Sequence, residues 1–143
     1  MFKVTKSFSF SMAHRLVDGY VGKCRSLHGH NYKVEVSIGS PSLDGYGFVV
    51  DFNELKYLKA WVDDYFDHTT LLNVRDPLVG FISEIPDNVV RVVDGNPTAE
   101  LIAKMIYDKA VEMFSNGVFK LIVLGVTVWE TETSSAEYSH VTN

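Results

Sequence analysis

Two runs of alternating apolar and polar residues, each carrying histidine where the two runs would meet, constrain the fold most strongly. The first run places Phe2, Val4, Phe8, Phe10 and Met12 on one parity, and His14 is the next residue of that series. The second run places His28, His30, Tyr32, Val34, Val36 and Ile38 on one parity. Residues two apart on a β-strand project from the same face. Both runs therefore predict half-buried strands whose apolar faces end in imidazoles.

Antiparallel pairing of these strands would bring three histidines together at the rim of the core. The end of the first strand would meet the start of the second, so that His14 lies beside His28 and His30. Three neutral imidazoles with one open position form the ligand set of a catalytic zinc, whereas structural zinc usually has four protein ligands. The alternative is that these are unrelated histidines, some hydrogen-bonded and some exposed.

Bulk properties favour one globular domain spanning residues 1–143. The chain is 46% hydrophobic and 22% charged, which is typical of globular proteins. No apolar run approaches the roughly 20 residues that span a bilayer, and we expect the N-terminus to be strand rather than signal peptide. We therefore expect a cytoplasmic protein without a membrane partner. Cys24 is the single cysteine, so an intrachain disulfide is excluded and a thiol beside a histidine cluster suggests catalysis.

The net charge of −5 hides an asymmetry between the two parts of the chain. Residues 1–33 contain six basic residues against Asp18 alone, so they carry +5, while the rest carries −10. Such a field would attract a small polyanion such as a phosphate ester. A solvated basic hairpin explains the charge equally well. Nucleic acid is not an expected partner, because the chain is acidic overall and offers no basic helix.

The remaining patterns predict an α+β fold. Asp51 and Glu54 have the spacing of a helix cap, and the helix that follows should run to Phe66 and bury Phe52, Leu55, Leu58, Val62 and Phe66. A short helix at 78–83 and a short strand at 89–93 are possible. A second helix should open at Asn96, Pro97 and Thr98 and stop at Asn116-Gly117. Strands are expected at 119–129 and 135–141. The first of these is apolar on both parities, which suggests a cover on each face and hence self-association.

Three further sets of residues have possible chemical roles. Asp67 could orient His68 at a helix end and set its tautomer. Glu130 ends the apolar strand, where its carboxylate could accept two hydrogen bonds from a guanidine-like heterocycle edge, or could simply be solvated. Thr98 and Glu100 are first of all a helix cap and a charge that complements the helix dipole.

The motifs together resemble the family of 6-pyruvoyl-tetrahydropterin and 6-carboxytetrahydropterin synthases. Cys24, three intervening residues, then His28-Gly29-His30-Asn31-Tyr32, preceded by Phe10 to His14, is similar to the family signature. The likeness continues through Gly47 to Phe52, Asp67 to Asn73, Pro97 to Glu100 and Glu130-Thr131. Leu101 departs from the pattern, because the family commonly has asparagine there.

The resemblance implies a tunnelling fold, a four-stranded antiparallel sheet with two helices on one face in the order ββααββ. Its homo-oligomers join their sheets into a barrel, here expected as a hexamer built from two trimers. It implies zinc held by His14, His28 and His30, with Cys24, Asp67 and His68 as the acid/base set. It also implies that Glu130 anchors the pterin of 7,8-dihydroneopterin triphosphate, with Thr98 and Glu100 near the ring. Lys23, Arg15 and Lys6 are phosphate-binding candidates on charge alone.

The spacing between the cysteine and the histidine pair separates two branches of the family. Pyruvoyl-branch members usually have five intervening residues and carboxy-branch members have three, as this chain does. The resemblance therefore implies a lyase that forms 6-carboxy-5,6,7,8-tetrahydropterin, acetaldehyde and triphosphate in queuosine and deazapurine synthesis. The alternatives are a pyruvoyl-forming synthase that eliminates only triphosphate, and a non-catalytic oligomer that binds zinc or a pterin.

Overall fold

A computed structural model describes residues 1–116 and 121–140, and within them the chain forms one six-stranded sheet and three α-helices. The strands are β1 (Phe2–His14), β2 (His28–Ser40), β3 (Thr69–Asn73), β4 (Val90–Val93), β5 (Ile122–Trp129) and β6 (Ser135–Tyr138). The helices are α1 (Lys56–Tyr65), α2 (Leu78–Ser83) and α3 (Ala99–Ala110). The order across the sheet is β4-β3-β1-β2-β5-β6. The predicted α+β class is confirmed.

The sheet is mixed and has six strands, where four antiparallel strands were predicted. β1, β2, β5 and β6 are the four predicted strands, and they pair antiparallel in the order β1-β2-β5-β6. β3 and β4 extend the sheet beyond β1 in parallel pairing. The pattern at 69–73 did not indicate β3, because nearly every residue of that strand is buried and no alternation marks an exposed face.

The register of β1 and β2 confirms the pairing that the alternating runs predict. His14 lies opposite His28 and Met12 lies opposite His30. The even-numbered side chains from Phe8 to His14 and from Tyr32 to Ile38 are buried. Both strands therefore deliver their terminal histidines to the same end of one buried face.

Helices α1 and α3 contribute their apolar sides to the core that this face forms. Leu58 and Val62 of α1 are buried, as are Ile102 and Ile106 of α3, and burial of each such side chain stabilises the fold by about 1.5–3 kcal/mol. The prediction that Phe52 is buried was wrong, since it is 53% exposed. The cap at Asp51 opens a 3₁₀ turn at Phe52–Leu55 before α1 begins, and that turn has a different periodicity from an α-helix.

A β-bulge explains why the β5 segment is apolar on both parities. The register between β2 and β5 shifts at Ser37/Ile38, so that Ser37 pairs with Gly125 while Ile38 pairs with Val123. The extra residue switches the parity that faces the core, and Val123, Val126 and Val128 are all buried. The bulge accounts for part of this pattern, while Ile122 remains 41% exposed and Leu124 and Trp129 are half-buried, so self-association through this strand stays a prediction.

Some sequence-based predictions lie outside the described residues. They are the stop at Gly117, the start of the predicted strand at 119–120 and the end of the last strand at 141. Within residues 1–116 and 121–140, every helix is too short or too polar to cross a membrane.

Candidate active site

Three imidazoles converge where β1 ends and β2 begins. One potential ligand atom of each of His14, His28 and His30 lies within 4.8 Å of the others. The ring centroids are 4.7 Å apart for His14 and His28, and 4.9 Å apart for His28 and His30. Strand parity and antiparallel register are together sufficient to produce this cluster, and the three histidines can bind a metal ion.

Backbone carbonyls select the tautomers of two of these histidines. His14 Nδ1 lies 2.7 Å from the Pro97 carbonyl oxygen, and His28 Nδ1 lies 2.6 Å from the Ser26 carbonyl oxygen. A carbonyl oxygen only accepts, so each Nδ1 carries the proton and each Nε2 presents a lone pair. This is the usual outer-shell support of a metal-bound histidine.

Burial favours the neutral form of His14 and His30, which is the form that binds a metal. Burial lowers the pKa of His14, and the hydrogen bond to Pro97 opposes that shift only in part. Burial also lowers the pKa of His30. The Nε2 atoms of both residues are buried and have no hydrogen-bond partner within the described chain. The residues present therefore fit a metal such as zinc, which binds imidazole nitrogen in its neutral form.

An asparagine holds the carbonyl that orients His14. Asn96 accepts a hydrogen bond from the Val17 amide at 2.9 Å and donates one to the Val17 carbonyl oxygen at 3.1 Å. These two hydrogen bonds connect the segment after β1 to the segment that carries Pro97. Asn96 was read from sequence only as the opening of a helix, because its contact with Val17 spans 79 positions.

A cavity of about 260 Å³ opens beside His14 and gathers five of the predicted site residues. They are His14, Cys24, Thr98, Glu100 and Glu130, with Leu16, Ala99, Ser134, Ser135 and Ala136 completing the lining. Thr98 also caps α3, accepting from the Leu101 amide at 3.4 Å. The lining contains two carboxylates, one thiol and several hydroxyls, so the cavity suits a neutral ligand with hydrogen-bond donors.

Cys24 and Glu130 reach the cavity from different elements. Cys24 lies in a 3₁₀ turn at Lys23–Arg25, and its carbonyl oxygen accepts from the Leu16 amide at 2.8 Å. Glu130 directly follows β5, and its Oε1 is 3.5 Å from His30 Nε2. A hydrogen bond to Cys24 raises the pKa of Tyr20, so that phenol lies beside the thiol.

The predicted dyad of Asp67 and His68 forms, but outside the cavity that contains Cys24. Asp67 Oδ2 is 2.9 Å from His68 Nδ1, and Asp67 Oδ1 accepts from the Ser11 amide at 2.8 Å. The Ser11 bond and then His68 lower the pKa of Asp67. His68 is 83% exposed in its side chain and lines a second cavity together with Ser11, Ala13 and Asn31, and also with His30 of the histidine cluster. The dyad is a carboxylate hydrogen-bonded to an imidazole, but it does not line the cavity that holds Cys24, and its catalytic role stays a prediction.

The basic candidates for phosphate binding have different environments. The Arg15 guanidinium binds Asp76 through Nε at 2.6 Å and Nη2 at 2.5 Å, and Asp76 is buried. Lys23 is exposed and directly precedes Cys24, which lines the cavity. Neither side chain is part of the lining within residues 1–116 and 121–140. Phosphate binding by either stays a prediction, and the Asp76 pairing gives Arg15 a structural role.

Sequence reasoning missed three groups around the cluster and the cavity. Ser134 and Ser135 line the cavity, and Tyr32 lies below two of the histidines, with ring centroids 6.0 Å from His14 and 5.5 Å from His30. Burial, followed by the charges of Glu130 and Cys24, raises the pKa of Tyr32. The parity of Tyr32 with His28 and His30 was the available signal, but parity alone places it in the core.

Comparisons with known proteins agree on one family. A sequence profile described as 6-pyruvoyl tetrahydropterin synthase matches residues 3–141. The chain is 35% identical over 140 residues to 6-carboxy-5,6,7,8-tetrahydropterin synthase of Rickettsia bellii, covering 96% of this chain and 99% of that protein. It is 34% identical over 145 residues to the protein of that name from Haemophilus influenzae, with coverage of 96% and 99%.

Solved structures give the same fold. The 6-pyruvoyl tetrahydropterin synthase of Caenorhabditis elegans has a TM-score of 0.71 at 27% identity, with 98% of this chain and 96% of that chain covered. An uncharacterized protein from Wolinella succinogenes has a TM-score of 0.85 at 23% identity, with 98% of each chain covered. At that lower identity the second likeness shows the fold alone.

Proposed function

The chain belongs to the 6-pyruvoyl tetrahydropterin synthase family, and on that basis we propose that it is a lyase acting on 7,8-dihydroneopterin triphosphate. The product would be 6-carboxy-5,6,7,8-tetrahydropterin, with release of acetaldehyde and triphosphate. Three imidazoles beside a cavity that contains one thiol and a strand-end carboxylate carry this function, because they combine a metal site, a proton carrier and an anchor for a heterocycle. The product would supply queuosine and deazapurine synthesis.

Zinc is the metal we propose for the three histidines. His14 and His28 would hold it through the Nε2 atoms that the carbonyls leave unprotonated, and His30 would supply the third imidazole. When bound, zinc supplies Lewis-acid polarisation of a substrate hydroxyl, which lowers the cost of removing a neighbouring proton. Three imidazole ligands leave a position open for the substrate, as in other catalytic zinc sites.

The charge of the cavity indicates how the substrate would lie. Glu100 and Glu130 line it, so a triphosphate would be repelled while the amino and N–H edge of a pterin would be attracted. The Glu130 carboxylate would accept hydrogen bonds from that edge, with Thr98 and Glu100 near the same ring. The triphosphate would then extend outward along the exposed turn that carries Lys23.

Cys24 would transfer the proton between side chain and ring. Its turn places the thiol in the cavity wall together with His14, so substrate carbons between them would lie within reach of both. Of the three residues between Cys24 and His28, Arg25 ends the turn and Ser26 offers the carbonyl oxygen that accepts from His28. This compact connection supports the carboxy-forming branch, as do the names of the relatives.

The Asp67–His68 dyad would act on a cavity of another subunit. The Asp67–His68 hydrogen bond is formed, but neither residue lines the Cys24 cavity of its own chain, so we assign a role beside Cys24 to the dyad of a neighbouring copy. We therefore propose a homo-oligomer, with a hexamer of two trimers as the expected form. Mixing inactive Cys24→Ala and His68→Ala proteins should restore activity by pairing an intact thiol with an intact dyad. A mixture that exchanges subunits but stays inactive would contradict this arrangement.

The reaction is tested by product analysis with the purified protein and dihydroneopterin triphosphate. We expect acetaldehyde and a carboxypterin, identified by mass. A pyruvoyl product would assign the chain to the other branch of the family, and absence of turnover in zinc-loaded protein would support a binding protein instead. The protein is expected in the cytoplasm, where its nucleotide-derived substrate would be made.

The variant Cys24→Ala distinguishes the role of the thiol from the role of the metal. We expect this variant to keep its zinc, because the three histidines are unchanged, and to lose turnover, because the proton carrier is gone. Cys24→Ser is the matched control for side-chain volume, and it should also be strongly impaired because a hydroxyl is a much weaker acid than a thiol. Unchanged turnover in either variant would exclude the role proposed for Cys24.

A further inference from the structure

The hydroxyl of Tyr32 is buried and lacks a hydrogen-bond partner within residues 1–116 and 121–140. Tyr32 is 0% exposed. Within those residues it shares this condition only with His14 Nε2 and His30 Nε2. Buried polar groups nearly always have a partner, and the rings that carry these three atoms have centroids 5.2 to 6.0 Å apart, which points to a common occupant. Two of the three already point to the metal site.

The Tyr32 ring is fixed in a position that belongs to this site. It stacks on Phe10 with centroids 4.9 Å apart and ring planes 10° apart. It meets the imidazoles of His14 and His30 edge-on, at 84° and 77°. The side chain also continues the strand face that carries His28 and His30. Packing therefore allows the hydroxyl little freedom to find another partner.

A core role alone does not explain why this residue is a tyrosine. Phenylalanine would preserve the stacking on Phe10 and remove the desolvated hydroxyl, whose burial without a partner destabilises the fold. The contrast is Tyr107, another buried tyrosine, whose hydroxyl donates to the Val123 carbonyl oxygen at 3.3 Å. Tyr107 thus has a structural reason for its hydroxyl, whereas Tyr32 does not.

We infer that Tyr32 is a positioning residue whose hydroxyl donates a hydrogen bond to the oxygen that enters the space in front of the three imidazoles. That oxygen belongs to water in the resting protein and to a substrate hydroxyl during the reaction. The inference rests on the metal-binding role proposed for His14, His28 and His30. It adds an outer-sphere donor that would orient the substrate hydroxyl for proton loss from the neighbouring carbon.

Zinc affinity and metal-free stability together test this inference without any turnover. Tyr32→Phe should weaken zinc binding by about 10-fold in competition with a chromophoric chelator, since outer-shell partners of metal sites typically contribute 10- to 100-fold. The melting temperature of the metal-free variant should equal or exceed that of the parent, because an orphaned hydroxyl has been removed. Turnover by the zinc-loaded variant should fall by a similar factor.

Tyr107→Phe is the matched control. It removes a hydroxyl that has a protein partner, so its metal-free melting temperature should fall while its zinc affinity stays within about 2-fold of the parent, below the range expected for an outer-shell loss. The inference is overturned if Tyr32→Phe binds zinc as tightly as the parent. It is also overturned if its metal-free melting temperature falls as far as that of Tyr107→Phe, since the hydroxyl would then have a partner in the chain itself.

A second measurement covers the case in which Tyr32→Phe does not fold. In parent protein labelled with ¹³C at the tyrosine Cζ atoms, zinc should shift the Tyr32 resonance and leave that of Tyr107 in place. An unmoved Tyr32 resonance would overturn the inference. Failure of the parent to convert dihydroneopterin triphosphate would refute the proposed reaction, but it would leave the affinity, melting and resonance results to decide the role of Tyr32.

Discussion

The ion pair between Arg15 and Asp76 is the interaction whose loss should be largest and simplest to measure. Asp76 is 3% exposed and the Arg15 side chain is 21% exposed. Besides its two bonds to the guanidinium, Asp76 Oδ1 accepts from the Leu78 amide at 2.8 Å. The bonds to Arg15 lower the pKa of Asp76 more strongly than any other influence. The pair therefore anchors the residue after His14 to the start of α2.

Asp76→Asn should lower the free energy of unfolding by about 3 kcal/mol at pH 7. Removing one partner of a buried ion pair costs about 3–5 kcal/mol, and the low end applies because Arg15 is partly exposed and asparagine keeps one acceptor oxygen. For a chain of this length the loss corresponds to a melting temperature lower by about 6–12 °C. Urea titration of parent and variant at equal zinc content measures the difference directly.

The pH dependence of the stability difference between the parent and Asp76→Asn tests the same ion pair a second time. A carboxyl group with a lowered folded-state pKa contributes stability above its unfolded pKa of about 4 and loses that contribution as the pH falls through the lower folded value. The stability gap between parent and Asp76→Asn should therefore be constant from about pH 5 upward and shrink below about pH 4. A gap under about 1 kcal/mol at pH 7, or one that does not shrink in acid, would refute a buried-pair role.

Three further predictions concern the metal, the dyad and the helix cap. Chelation or His14→Ala should remove zinc and lower the melting temperature, whereas His140→Ala, at an exposed histidine, should keep metal content unchanged by elemental analysis. Asp67→Asn should lower the free energy of unfolding at pH 7, and the stability of the variant should fall less in acid than that of the parent, because the pKa of Asp67 is lowered. If denaturant titrations show the same fall in stability below about pH 4 for both proteins, this prediction is contradicted. Thr98→Ala should cost about 1 kcal/mol through loss of the α3 cap, and a calorimetric change near zero would show that the cap bond is weak.

The alternation of residues predicted the part of the fold that matters most for the site. Side chains on a strand repeat every two residues, so Phe10, His14, His28 and His30 were assigned to one face before any contact was known. Antiparallel pairing then required His14 to meet His28, and it does. Alternation could not predict β3, because a short strand that is buried on both faces shows no alternation of apolar and polar residues.

The positions of Glu130 and the dyad show where local patterns stop being informative. Glu130 was predicted at the rim of the sheet, and it lines the cavity as the first residue after β5. Asp67 and His68 were predicted to form a hydrogen-bonded pair, and they do. Their position relative to Cys24 depends on how the segment after α1 contacts Ser11 of β1. That contact spans 56 positions, and sequence periodicity carries no information about it.

By itself, the sequence determined the secondary-structure faces, the three-histidine cluster and the charge contrast between the basic N-terminal segment and the rest, because each depends on short-range periodicity or composition. Only the tertiary structure decided the tautomers of His14 and His28, the bulge between β2 and β5, and the orphaned hydroxyl of Tyr32. These features arise from the directions of single atoms across distant segments. A hydrogen bond depends on tenths of an ångström, whereas a sequence pattern specifies only which face a side chain occupies.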